Sequence, residues 1–128
     1  MPNPIEHNIK HITNENFINI KDLNVNYKEW YVTGIFYTIL HLIEGYLSIY
    51  KSKDTINHKE RLEYIRKDPV LRKIFNEYKT IYDESLKARY YPKIFSDEDI
   101  QEIEECYKEI DTYIKPFVES KLNKYEKQ

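Results

Sequence analysis

Apolar positions recur in this chain at three- and four-residue intervals from Ile5 to Phe117, the period of amphipathic helices. No alternating run and no Asn-Gly or Asp-Gly turn interrupts them, so no strand is predicted. A first helix is expected to open near Pro4, with Ile5, Ile9, Ile12, Phe17 and Ile20 as an imperfect apolar face. Lys21 to Asn26 reads as a short polar connection. Asn26, with Glu29 three residues on, has the form of a capping box and starts a second helix that ends near Lys51. A polar loop, Ser52 to Asn57, leads to a short third helix from His58 to Lys67, presenting His58, Arg61, Leu62 and Ile65 on one face. Asp68 followed by Pro69 is predicted to cap a fourth helix. Its stripe of Leu71, Phe75, Tyr78 and Tyr82 continues to Ser85 and Arg89, and Tyr91-Pro92 ends it. Ser96 and Asp99 cap the last helix, whose buried face is Ile100, Ile103, Tyr107, Ile110, Ile114 and Phe117. Pro116 is expected to kink or end that helix, and the polar tail 121–128 to fray. The pattern predicts an all-α protein, an up-and-down bundle of four or five helices forming one domain over residues 1–128.

The second helix, WYVTGIFYTILHLIEGYLSIY from Trp30 to Tyr50, is apolar on nearly every face. The exceptions line up. At about 100° per residue, Trp30, Gly34, Tyr37, His41, Glu44 and Ser48 fall within roughly 40° of one direction. Gly45, the only other glycine, lies beside them. A helix apolar on its other faces is a central, buried one. Its His and Glu therefore require polar partners on neighbouring helices. The length also suits a membrane span, but His41 and Glu44 lie in its second half, and a charge near the bilayer centre costs about 2.5–3.5 kcal/mol. No membrane is expected.

Composition adds bounds. With 33% charged and 41% hydrophobic residues the chain is of folded, soluble type. A net charge of -2 gives no global basic field, so any nucleic-acid contact needs a local patch. The single cysteine, Cys106, forms no internal disulfide and fits a reducing cytoplasm, and the first residues carry no secretion signal.

Four constellations carry candidate chemistry. His41 and Glu44 with Ser85 and Arg89, joined by His58 and Arg61, suit acid–base and phosphate chemistry. The same groups also suit a structural network in which Glu44 pairs with Arg89 or His41, because a buried charge must be paired. His7 and His11, four residues apart, resemble half of a metal site but read as surface histidines, so no metal is expected. Most of the tyrosines fall on predicted core faces; Tyr90 and Tyr91 beside Arg89 are the pair placed to stack on a ligand. Cys106 sits among Glu104, Glu105 and Glu109, which oppose a thiolate, and reads as inert.

The run W-Y-V-T-G-I-F-Y-T-I-L-H-L-I-E-G-Y-L, then H-K-E-R, then Y-K-T-I-Y-D-E-S-L-K-A-R-Y-Y, resembles the HEPN domain superfamily over about Asn16 to Tyr91. The resemblance implies a helical bundle, usually dimeric. It implies members that are metal-independent RNases, that bind nucleotides, or that partner a nucleotidyltransferase in toxin–antitoxin systems. The RNase members carry an Arg with a His four to six residues later, and no histidine follows Arg61, Arg66, Arg72 or Arg89 at that spacing. The expectation is a HEPN-like domain that binds RNA or a nucleotide without a cofactor. His58, Arg61, His41 and Arg89 are its candidate catalytic groups, and Tyr37, Glu44, Tyr78, Ser85 and Tyr90 its ligand contacts. The rival expectation is a non-catalytic dimeric interaction module whose polar stripe is structural.

Overall fold

A computed structural model describes residues 3–126 and the side chains of residues 3–122. Six α-helices follow in order: α1 (Pro4–Ile18), α2 (Leu23–Asn26), α3 (Lys28–Lys51), α4 (His58–Lys67), α5 (Phe75–Tyr90) and α6 (Asp97–Glu126). A 3-10 turn over Leu71–Ile74 precedes α5, and no strand occurs among the described residues. The protein is an all-α bundle. Five helices have ten residues or more, and α2 is a single turn.

Helix α3 is the centre, in contact with α1, α2, α5 and α6. Val32, Ile35, Ile39, Ile43 and Leu47 along it are fully buried, and Phe36 is nearly so. It is long and apolar enough to cross a membrane, but 72% of its apolar window lies inside the bundle. Facing it, Tyr78 and Ile81 of α5 and Ile103, Ile110 and Ile114 of α6 complete the core. The α3–α6 seam is tied by the Tyr31 hydroxyl donating to Glu104 at 2.6 Å and the Tyr50 hydroxyl donating to the Phe117 carbonyl at 2.8 Å.

Local signals held in part. Asn3 caps α1 through the Glu6 N–H, and Ser96 and Asp99 form a reciprocal capping box on α6. Asn26 does not cap α3. It ends α2, a turn that Asp22 opens in the left-handed region and that buries Leu23, so the cap position falls to Tyr27, which makes no side-chain cap bond. Asp68 accepts from the Val70 and Leu71 N–H groups, but the turn it caps is 3-10, and α5 starts only at Phe75. Pro116 does not end α6, which runs through it to Glu126.

The predicted face of α1 is corrected. Ile9, Ile12 and Ile20 are about half exposed, and the buried line is Pro4, His11 and Ile18. Two contacts set this rotation. His11 Nδ1 lies 2.8 Å from the Thr38 carbonyl, and Ile18 and Phe17 pack directly over Gly34, where a Cβ would stand 2.7 and 2.8 Å from their side chains. Gly34 is the gap that lets α1 close onto α3. Gly45 has no such neighbour within 3.8 Å.

Candidate functional site

The polar stripe of α3 ends in two different environments. Toward its C-terminal half, Glu44 is 3% exposed and accepts from Arg61 Nε at 2.7 Å. It also accepts from the Thr55 N–H and hydroxyl. Arg61 is itself buried, and its Nη1 lies 3.4 Å from the Tyr78 hydroxyl. Burial opposes the Arg61 charge, but Tyr78 and Glu44 outweigh it and hold its pKa above the ordinary value. The Tyr78 hydroxyl lies 3.4 Å from His58 Nδ1. The His58 ring is stacked on Tyr82 with centroids 3.2 Å apart, and its Nε2 is buried with no partner.

The expected partner of Glu44 is therefore corrected. Arg61 of α4 reaches it, not Arg89 of α5, because loop 52–57 folds α4 back beside this end of α3 and supplies Thr55 on the way. Glu44 and Tyr78 sit inside a closed network, away from any ligand surface.

A third group borders this network. His41 Nδ1 lies 3.3 Å from His7 Nδ1, and His7 Nε2 lies 2.9 Å from Asp54 Oδ1. Burial, then the positive field of His7, Lys10 and Arg61, pushes the His41 pKa down to about 4. Burial and Arg61 do the same to His58, also to about 4. Both imidazoles are neutral at physiological pH. His7, Glu44 and Asp54 converge closely enough to share a cation. However, Glu44 is committed to Arg61, a charge that repels one.

The other end of the stripe is open. Arg89, in the last turn of α5, donates from Nη1 to the Tyr37 hydroxyl at 3.3 Å, from Nη2 to Ser85 Oγ at 3.1 Å and from Nε to the Ser85 carbonyl at 3.2 Å. Its guanidinium lies over the rings of Phe36, Tyr37 and Tyr90 at 5.2, 5.7 and 5.3 Å. Among the described residues no carboxylate pairs with it. A cleft of about 400 Å³ opens here, lined by Glu29, Trp30, Thr33, Tyr37, Ala88 and Arg89. Ser85 is fully buried and steers Arg89 without touching the cleft. Tyr90 is 70% exposed at the rim.

Comparison of the chain with family models, with curated proteins and with solved structures gives no match.

What the site can do follows from its own geometry. A guanidinium oriented by three hydrogen bonds and backed by aromatic faces presents its remaining N–H groups to an anion. Trp30 and Tyr37 offer flat apolar surface beside it. Arg89, Tyr37 and Tyr90 thus gather at one opening. Arg61, Glu44 and Tyr78 gather in a buried network, with the partly buried His58 and His41 on its border. Sequence reasoning missed Asp54 and Thr55, loop residues with no periodicity to betray them. It also took both His7 and His11 for surface histidines, whereas His11 is only 2% exposed because α1 turns it against Thr38.

Proposed function

We propose that this protein is a HEPN-like helical domain that binds a nucleotide or the phosphate and base of single-stranded RNA in the Trp30–Tyr37–Arg89 cleft. The observation that carries this reading is Arg89, a half-buried guanidinium fixed in place and, among the described residues, paired with no carboxylate. A phosphate supplies the missing charge, and a base stacks on the neighbouring ring. The negative net charge of the chain makes such a local group necessary for any affinity.

The chain's only tryptophan lines the cleft, so its fluorescence reports binding directly. Titration of wild type at low salt, with chelator present, against a short single-stranded RNA and against a nucleoside triphosphate is expected to quench Trp30. Arg89→Gln should weaken that response at least about tenfold. Equal binding by Arg89→Gln overturns the cleft as the site. No binding by wild type leaves the interaction module as the better account.

Cleavage is a second reading, and the Asp54–His7–His41 chain favours it. This chain is only partly buried, with the His7 side chain 18% and that of Asp54 43% exposed. Asp54 orients His7, His7 meets His41, and one imidazole takes the 2′-hydroxyl proton as that oxygen bonds to phosphorus, while the P–O5′ bond breaks and the leaving 5′-oxygen takes a proton from water. Chelator-resistant RNA cleavage lost in His41→Ala supports it. His58, stacked and without an exposed nitrogen partner, is not the base in this scheme.

A further inference from the structure

His7 and His11 share one face of α1 yet serve different surroundings. His11 is 2% exposed. Its Nδ1–H donates to the Thr38 carbonyl, which places the lone pair of the neutral ring on Nε2. That Nε2 is buried and, among the described residues, has no hydrogen-bond partner. It faces Glu15 Oε2 at 3.6 Å, too long for a hydrogen bond. Across the seam, Asp111 Oδ1 of α6 is likewise buried and unpartnered.

We infer that His11, Glu15 and Asp111 form a binding site for a divalent transition-metal ion of the zinc type at the seam between α1 and α6. One ligand atom from each of the three lies within 4.8 Å of the other two. Tetrahedral ligands about 2.0–2.2 Å from zinc stand roughly 3.4 Å apart, so a modest closure completes the set. A histidine that gives its other ring N–H to a backbone carbonyl is oriented as metal-bound histidines usually are. The imidazole nitrogen selects zinc and its neighbours over magnesium or calcium. Three protein ligands leave a fourth position for water.

The charges agree. Two carboxylates face one ammonium: Lys115 Nζ lies 3.0 Å from Glu15 Oε2, and its side chain is about a third exposed, free to withdraw toward solvent. Burial raises the Asp111 pKa despite Lys115, the mark of a carboxylate short of partners. The remaining groups around it, Tyr107 and Glu119, bring no second cation. The other convergent set, His7, Glu44 and Asp54, is different, because Arg61 already holds Glu44.

The test uses the full chain stripped with chelator. Zinc chloride is titrated calorimetrically, and cobalt is added to read the visible absorption of a low-coordinate nitrogen–oxygen site. Wild type is expected to bind one equivalent and to melt at a higher temperature with zinc present. Asp111→Asn, isosteric and first checked for folding by circular dichroism, should lose affinity by about 100-fold or more, as should His11→Gln. His7→Ala should bind as wild type. No zinc binding by wild type up to millimolar concentration overturns the inference. So does undiminished binding by Asp111→Asn, or loss of binding in His7→Ala alone.

Discussion

Two arginines flank the same helix and end differently. Arg61 is buried on Glu44, with Thr55 and Tyr78 completing its surroundings. Arg89 is held by a hydroxyl, a carbonyl and a phenol, with three aromatic rings beneath it and a cleft in front. Partner type, not residue type, separates them. A carboxylate closes the first into the fold, and its absence leaves the second with unspent charge. The stripe on α3 is thus structural at one end and receptive at the other.

The sharpest way to break this contrast is to remove the carboxylate. Glu44→Ala leaves a buried guanidinium alone and is expected to cost about 3–5 kcal/mol in urea denaturation. A midpoint unchanged from wild type would place Glu44 outside any buried pair. Acidification is the next largest effect, and it acts on the closed end. The folded pKa values of His41 and His58, about 4, lie below the unfolded value of about 6.5. Between those two pH values the unfolded chain binds more protons, so stability is complete above pH 6.5 and falls as pH drops to about 4. With allowance for solvent screening the loss is on the order of 1–2 kcal/mol per histidine. His58→Asn should flatten the curve, and a pH-independent stability would contradict a partly buried, neutral His58.

At the open end the expected signs differ. Arg89→Gln should change stability by less than about 1 kcal/mol, while ligand-dependent Trp30 quenching weakens at least tenfold. An Arg89 variant that unfolds would make this end structural too. The two glycines should respond with opposite signs. Gly45→Ala meets only ordinary van der Waals contact, with His7 Cβ and Val118 Cγ1 at 3.8 Å, and should stabilise by up to about 1 kcal/mol, as helix propensity predicts. Gly34→Ala should destabilise by about 1–3 kcal/mol through the clash with Ile18 and Phe17. Thermal melts of the two variants read both signs.

Periodicity made much of this legible. Helix α3 and its central place followed from apolar residues on every face but one, and the bounds of α4 and the Ser96–Asp99 box followed from local chemistry. Helical phase also placed Glu44 and Arg89 on inward stripes. It could not say which neighbour meets which residue, because that depends on how loop 52–57 turns, and the loop has no period. Helix α1 misled for a related reason. Ile9 and Ile12 are more hydrophobic than the buried His11, and close contact at Gly34 with a hydrogen bond from His11 set the rotation instead. His7 and His11 look equivalent by spacing, but α1 touches both α3 and α6, so one histidine leans to loop 52–57 and the other into the α6 seam.

That equivalence gives Gly34 a second meaning. Two histidines four residues apart suit two seatings of α1, offset by about 6 Å, in which His11 would take the place of His7 against His41. Polar chemistry alone scarcely tells these registers apart. The notch at Gly34 does, since Ile18 and Phe17 drop into it in only one of them. A residue with no side chain therefore fixes which histidine meets Asp54 and which meets Asp111, and it acts as the key that indexes α1.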